Sequence, residues 1–122
     1  MASRILLIEN EKHLRRTLAQ ILRQSGYEVL EAENGRDCVG KLFEQSVDLL
    51  ITNMIMPEMD GVEIIVAVRE RYPETKILAI SGHGMNVAES SLKIAKALGA
   101  HKTLVKPFSS EVFLQEVNTL LG

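Results

Sequence analysis

Ile5-Leu-Leu-Ile8, followed at once by Glu9-Asn10-Glu11, is the stretch that sets the fold. Four consecutive apolar residues without alternation mark a short strand covered on both faces, as in a parallel sheet flanked by helices. The polar cluster that closes the run marks the carboxyl end of that strand. The pattern returns along the chain. Asp48-Leu-Leu-Ile-Thr52 leads to Asn53, Lys76 to Ile80 leads to Ser81, and His101 to Val105 leads to Lys106-Pro107, while Tyr27 to Ala32 reads as a further strand.

Helical stripes fill the intervals. From Glu11 to Gln24, Leu14, Leu18, Ile21 and Leu22 recur at i, i+4, i+7 and i+8, and Ser25-Gly26 stops the helix. Asn34-Gly35 turns into a helix through Val39, Leu42 and Phe43. Met59-Asp60-Gly61 turns into another, through Val62, Ile65, Val66 and Val68 to Arg71, where Pro73 breaks it. A loop, Ser81-Gly-His-Gly84, precedes a helix ending near Leu98-Gly99. The last helix starts near Ser109 or Ser110, with Glu111 in the first turn and Phe113, Val117, Leu120 and Leu121 as its stripe. Five βα units in succession predict an α/β fold: a flavodoxin-like, doubly wound parallel sheet of order 2-1-3-4-5. Its ligand crevice lies at the carboxyl ends of strands 1 and 3, where the winding reverses.

Composition narrows the function. A chain of 122 residues, 46% hydrophobic and 25% charged, reads as one globular domain over 1–122. Fourteen Lys and Arg against sixteen Asp and Glu leave a net charge of −2, which lacks the concentrated basic face of a nucleic-acid binder. The single cysteine, Cys38, excludes an internal disulfide and a multi-cysteine metal site. The apolar run near the amino terminus is too short for a secretory signal, and no stretch approaches the ~18 residues of a membrane span. The expectation is a cytoplasmic domain with no membrane or nucleic-acid partner.

The predicted strand ends carry the chemistry: Glu9-Asn10-Glu11, Asn53, Met56-Pro-Glu-Met-Asp-Gly61, Ser81 and Lys106-Pro107. In this combination the chain, from about Arg4 to Leu121, resembles the response-regulator receiver domain of two-component signalling. Ser81-Gly-His-Gly84, Ala95-Lys-Ala-Leu-Gly-Ala100 and Thr103-Leu-Val-Lys-Pro-Phe108 are similar to short, stand-alone receivers. The resemblance implies a signalling module rather than an enzyme, served by a sensor histidine kinase or a phosphotransfer protein. In that family an aspartate at the end of strand 3 takes the phosphoryl group. Magnesium sits on an acidic pair after strand 1, on that aspartate and on a backbone carbonyl two residues beyond. Carried over residue by residue, the metal positions are Glu9, Asn10, Asn53 and the carbonyl of Ile55. Ser81 and Lys106 hold the phosphoryl oxygens, and the peptide before Pro107 is cis.

Two positions depart from the family. Asn53 stands at the phosphoacceptor position and Asn10 in the acidic pair. A carboxamide has no anionic oxygen and forms no acyl phosphate, and it offers magnesium only a weak neutral ligand. The chain is thus expected to be phosphorylation-dead as written and to bind magnesium weakly, either as an engineered replacement or as a native pseudo-receiver. Asn10 favours the second account, since one inactivating change would not require it. Thr103 occupies a place where the family often has an aromatic ring.

Plainer readings stand beside these. Asn10 also reads as the N-cap of the first helix. Ser81 reads equally as a loop-closing residue or as a phosphoryl contact. His13, His83 and His101 share no metal spacing and read as solvated. Met54, Met56, Met59 and Met85 read as packing residues, Lys93, Lys96 and Lys102 as a solvated or partner-facing surface, and Cys38 as inert packing. Besides the receiver, a phosphorylation-independent interaction module on the same fold accounts for the sequence. A small-ligand binder using the crevice lacks a phosphate loop.

Overall fold

The computed structural model describes residues 2–56, 61–82 and 85–122, without the side chains of residues 39, 42–44 and 85–87. Ten elements alternate along the chain: β1 (Arg4–Ile8), α1 (Lys12–Gln24), β2 (Glu28–Ala32), α2 (Gly35–Glu44), β3 (Leu49–Asn53), α3 (Gly61–Arg71), β4 (Lys76–Ser81), α4 (Met85–Leu98), β5 (Lys102–Val105) and α5 (Ser110–Leu121). The five strands form one sheet of order β2-β1-β3-β4-β5, all pairings parallel, as expected for a flavodoxin-like fold. Met59 and Asp60 of the expected turn, His83, Met85 and the stripe Val39, Leu42 and Phe43 lie outside the described residues or side chains. Among the described residues no helix is long and apolar enough to cross a membrane.

The apolar runs divide their side chains between two layers, as the pleat of a strand requires. Leu6, Ile8, Leu50, Ile77 and Ala79 face one way, against Cys38 of α2, Ile64, Ile65 and Val68 of α3, and Leu92 and Ala95 of α4. Ile5, Leu7, Leu49, Ile51, Leu78 and Ile80 face the other way, against Leu18 and Leu22 of α1 and Phe113 and Val117 of α5. Phe113 is fully buried and stacks on Phe108 at 5.5 Å between ring centroids. Each buried Leu, Ile, Val or Phe among them contributes about 1.5–3 kcal/mol through burial. Cys38 is free and buried, and burial pushes its thiol up to about 12, in keeping with an inert packing residue.

The helix ends follow local chemistry, with one correction. Ser109 caps α5 by accepting from the Val112 N–H, and Asn34 caps α2 by accepting from the Asp37 N–H. Gly26, at φ +95, and Gly99, at φ +114, supply the left-handed turns after α1 and α4. The cap of α1, however, is Glu11 and not Asn10: the Glu11 carboxylate accepts from the Leu14 N–H at 3.0 Å. A carboxylate is favourable at the positive end of a helix, and Asn10 is engaged elsewhere. In α3 the run Ile64-Ile-Val-Ala-Val68 hides the helical period. The structure buries Ile64, Ile65 and Val68 and leaves Val66 39% exposed, contrary to the expected stripe.

Candidate functional site

The parallel register sets the carboxyl ends of β1 and β3 side by side: Ile8 pairs with Thr52, and Asn53 with Ile80 of β4. The residue after β1 and the last residues of β3 and β4 therefore meet at one edge. Glu9, Thr52, Asn53 and Ser81 are all buried there, an unusual concentration of polar groups for a domain interior.

Glu9 is at the centre. Its Oε1 accepts from Lys106 Nζ at 2.7 Å, its Oε2 from the Glu11 N–H at 3.0 Å, and Asn53 Nδ2 lies 3.5 Å from Oε2. The second Nδ2 hydrogen bond of Asn53 goes to Asn10 Oδ1 at 3.2 Å. This amide orientation suits the Glu9 carboxylate, which can only accept, because the opposite one would set an oxygen against it. Asn53 Oδ1 is left buried and without a partner among the described residues. Thr52 donates its hydroxyl to the Asn53 carbonyl at 3.0 Å. Lys106 reaches Glu9 from the end of β5, and the Lys106–Pro107 peptide is cis. Ile55, half-buried in the bend after β3, packs against the core.

Ser81 is fully buried, and its Oγ accepts from the Ser91 hydroxyl of α4 at 2.8 Å. Its carbonyl accepts from the Lys106 N–H at 2.9 Å. Arg15 carries the loop after β1: its guanidinium donates to the Glu9 carbonyl at 2.9 Å and pairs with Glu31 at 3.4 Å. Sequence reasoning missed Arg15, Glu31, Thr52 and Ser91. Nothing local separates Arg15 from Arg16, and Ser91 is one of two adjacent serines on a helix.

One plainer reading is corrected. His101 is half-buried rather than solvated, and its Nδ1 accepts from the Ile77 N–H at 3.0 Å. Burial, then Lys76 and Arg69, hold its imidazole below the ordinary 6.5. On the surface, Lys102 pairs with Glu116 of α5 at 3.3 Å. A cleft of about 640 Å³ opens at the opposite end of the sheet beside Asp48, Pro73 and Leu121, and Asp48 there accepts the Arg4 N–H at 2.7 Å.

The donor set does not suit the magnesium ion that the family resemblance implies. That ion requires hard, anionic oxygens in near-octahedral array. Here the Glu9 carboxylate has both oxygens engaged, and an amide N–H₂ points at the two groups that would be ligands. No three His, Cys, Asp or Glu side chains gather to hold a metal among the described residues.

Comparison with known proteins gives a consistent result. Residues 5–118 match the family described as the response regulator receiver domain. The chain is 34% identical to the chemotaxis protein CheY of Bacillus subtilis over 123 residues, covering 100% of both. It is also 34% identical to the response regulator receiver protein CpdR of Brucella abortus, covering 97% of this chain and 96% of that one. The solved structure of Vibrio cholerae CheY4 superposes with a TM-score of 0.88 at 30% identity, covering 98% of this chain and 99% of the other.

Proposed function

The chain belongs to the response-regulator receiver family, and on that premise we propose that residues 1–122 form one receiver domain of a two-component phosphorelay that is phosphorylation-dead as written. Asn53 holds the phosphoacceptor position, and Ser81 and Lys106 the positions of the phosphoryl contacts. The observation that carries the reading is the direction of the Asn53 amide, whose N–H₂ faces Glu9 and Asn10. Phosphoryl transfer needs a nucleophilic oxygen in line with the phosphorus and cationic help on its equatorial oxygens. At Asn53 the only oxygen is a neutral amide oxygen, and the Lys106 ammonium is engaged with Glu9.

On this reading the domain is a non-catalytic cytoplasmic module. Its partners are proteins: a sensor histidine kinase, a phosphotransfer protein or another component that recognises the receiver surface without receiving phosphate. Magnesium at Glu9, Asn10, Asn53 and the Ile55 carbonyl is weak, since Asn10 and Asn53 each withhold a charge. A titration giving sub-millimolar magnesium affinity near neutral pH contradicts that part. The deciding experiment is incubation with acetyl phosphate and magnesium, read by intact mass. The expected result is an unchanged mass, and one added phosphoryl group mapping to the end of β3 overturns the reading.

A further inference from the structure

The Lys106 side chain takes a defined route across the crevice. A Cβ on Gly82 would stand 2.5 Å from Lys106 Cβ, 2.9 Å from Cδ and 3.0 Å from Cγ, so the lysine stem lies flat on the bare backbone at the end of β4. Its ammonium then reaches a carboxylate 97 positions away in the chain. That carboxylate is 3% exposed and the lysine 25%, so the pair is largely withdrawn from water. One ammonium supplies a full positive charge to the carboxylate at the centre of the described residues. The Asn53 amide fills the space between Glu9 and Asn10 with hydrogen-bond donors.

We propose that Lys106 is the built-in counter-ion of this crevice. The Glu9–Lys106 pair, laid over Gly82 and extended to Asn10 through Asn53, is a metal-independent latch. It fastens the loop after β1 to the ends of β3, β4 and β5. The latch rests on reading the crevice as one without a phosphoacceptor, and it deepens that reading by naming what regulates the crevice loops in place of an ion. A partner protein then meets the same loop arrangement whether or not a divalent cation is present.

A double-mutant cycle with Glu9→Gln and Lys106→Met, followed by urea unfolding, tests the latch in chelator and in millimolar magnesium. Each single substitution strands a partner in a poorly solvated site, while the double removes both charges. The expected coupling is about tenfold in the unfolding equilibrium constant, equal in the two media. Effects that simply multiply overturn the latch, and so does a coupling that vanishes in magnesium. Should a variant fail to fold, the unaltered protein answers by NMR. Millimolar magnesium leaves the amide resonances of Glu9, Glu11, Asn53 and Lys106 in place, and displacement of that set overturns the proposal. Failure is separable from failure of the proposed function: labelling by acetyl phosphate refutes the latter, whereas loss of coupling without labelling refutes only the latch.

Discussion

At the carboxyl end of the strands, Glu9, Asn10, Asn53 and Lys106 engage one another, side chain to side chain. At the amino end three polar side chains pair with backbone. Asp48 accepts the Arg4 N–H, the Thr75 hydroxyl donates to the Val47 carbonyl at 3.0 Å, and His101 accepts the Ile77 N–H while its own N–H donates to the Ile77 carbonyl at 2.9 Å. The difference matters. A partner fixed by the sheet ladder leaves one arrangement available, so those contacts hold structure. Mutually dependent side chains form a coupled network, which changes as a unit and is sensitive to any member. Among the described residues the network also leaves Asn53 Oδ1 unpaired, whereas His101 completes the first rung between β4 and β5.

The largest effect that sharpens this contrast is a gain of chemistry at the carboxyl end. Asn53→Asp restores a nucleophile and one metal ligand together, so acetyl phosphate with magnesium should give labelling where the parent gives none. Asn10→Asp added to it should raise the yield, and Asn10→Asp alone should recover nothing. The new carboxylate loses the Nδ2 hydrogen bonds and faces Glu9, so without magnesium the doubly substituted protein should melt below the parent. Magnesium should then raise its melting temperature by binding the folded state. A double variant that neither labels nor responds to magnesium removes the receiver reading of the crevice.

Gly82→Ala attacks the network sterically. The added methyl meets the base of the Lys106 stem, which cannot swing aside as a side-chain tip does. A loss of about 1–3 kcal/mol in urea unfolding is expected. An unchanged stability would show that the lysine route is not fixed by the glycine.

At the amino end, His101→Leu leaves the Ile77 N–H without its acceptor, for a loss of about 1 kcal/mol near neutral pH. The folded state favours the neutral imidazole because burial, Lys76 and Arg69 all disfavour its protonated form. The contribution of His101 is therefore complete above its ordinary 6.5 and is lost as pH falls through the lower folded value. The stability gap between parent and variant should narrow on acidification, and a gap that widens breaks the comparison.

The smallest effect belongs to a site in neither end. Gly40 lies inside α2 with nothing among the described residues within 4 Å of an added Cβ, so Gly40→Ala should stabilise by about 0.5–1 kcal/mol. Its sign, opposite to that of Gly82→Ala, separates a glycine required by a neighbour from one that is not.

The sheet, its five helices and the strand ends where polarity gathers were legible in the residues alone, because each rests on local signals. Ile5-Leu-Leu-Ile8 and Asp48-Leu-Leu-Ile-Thr52 read as doubly covered strands, and parallel connections admit few orders. The sequence also supplied the residue types at the crevice, Asn53 and Asn10 among them. How those residues use their atoms emerged only from packing. Packing turned the Asn53 amide toward Glu9, carried Lys106 over Gly82, moved the cap of α1 to Glu11 and drew His101 onto β4. The physical reason is distance along the chain: Asn53 and Glu9 are 44 positions apart and Lys106 and Glu9 are 97 apart, far beyond any helical or strand period. Periodicity records which face of an element is buried. The pairing of side chains across a crevice is set by the close approach of separate loops, and only the packed sheet brings those loops together.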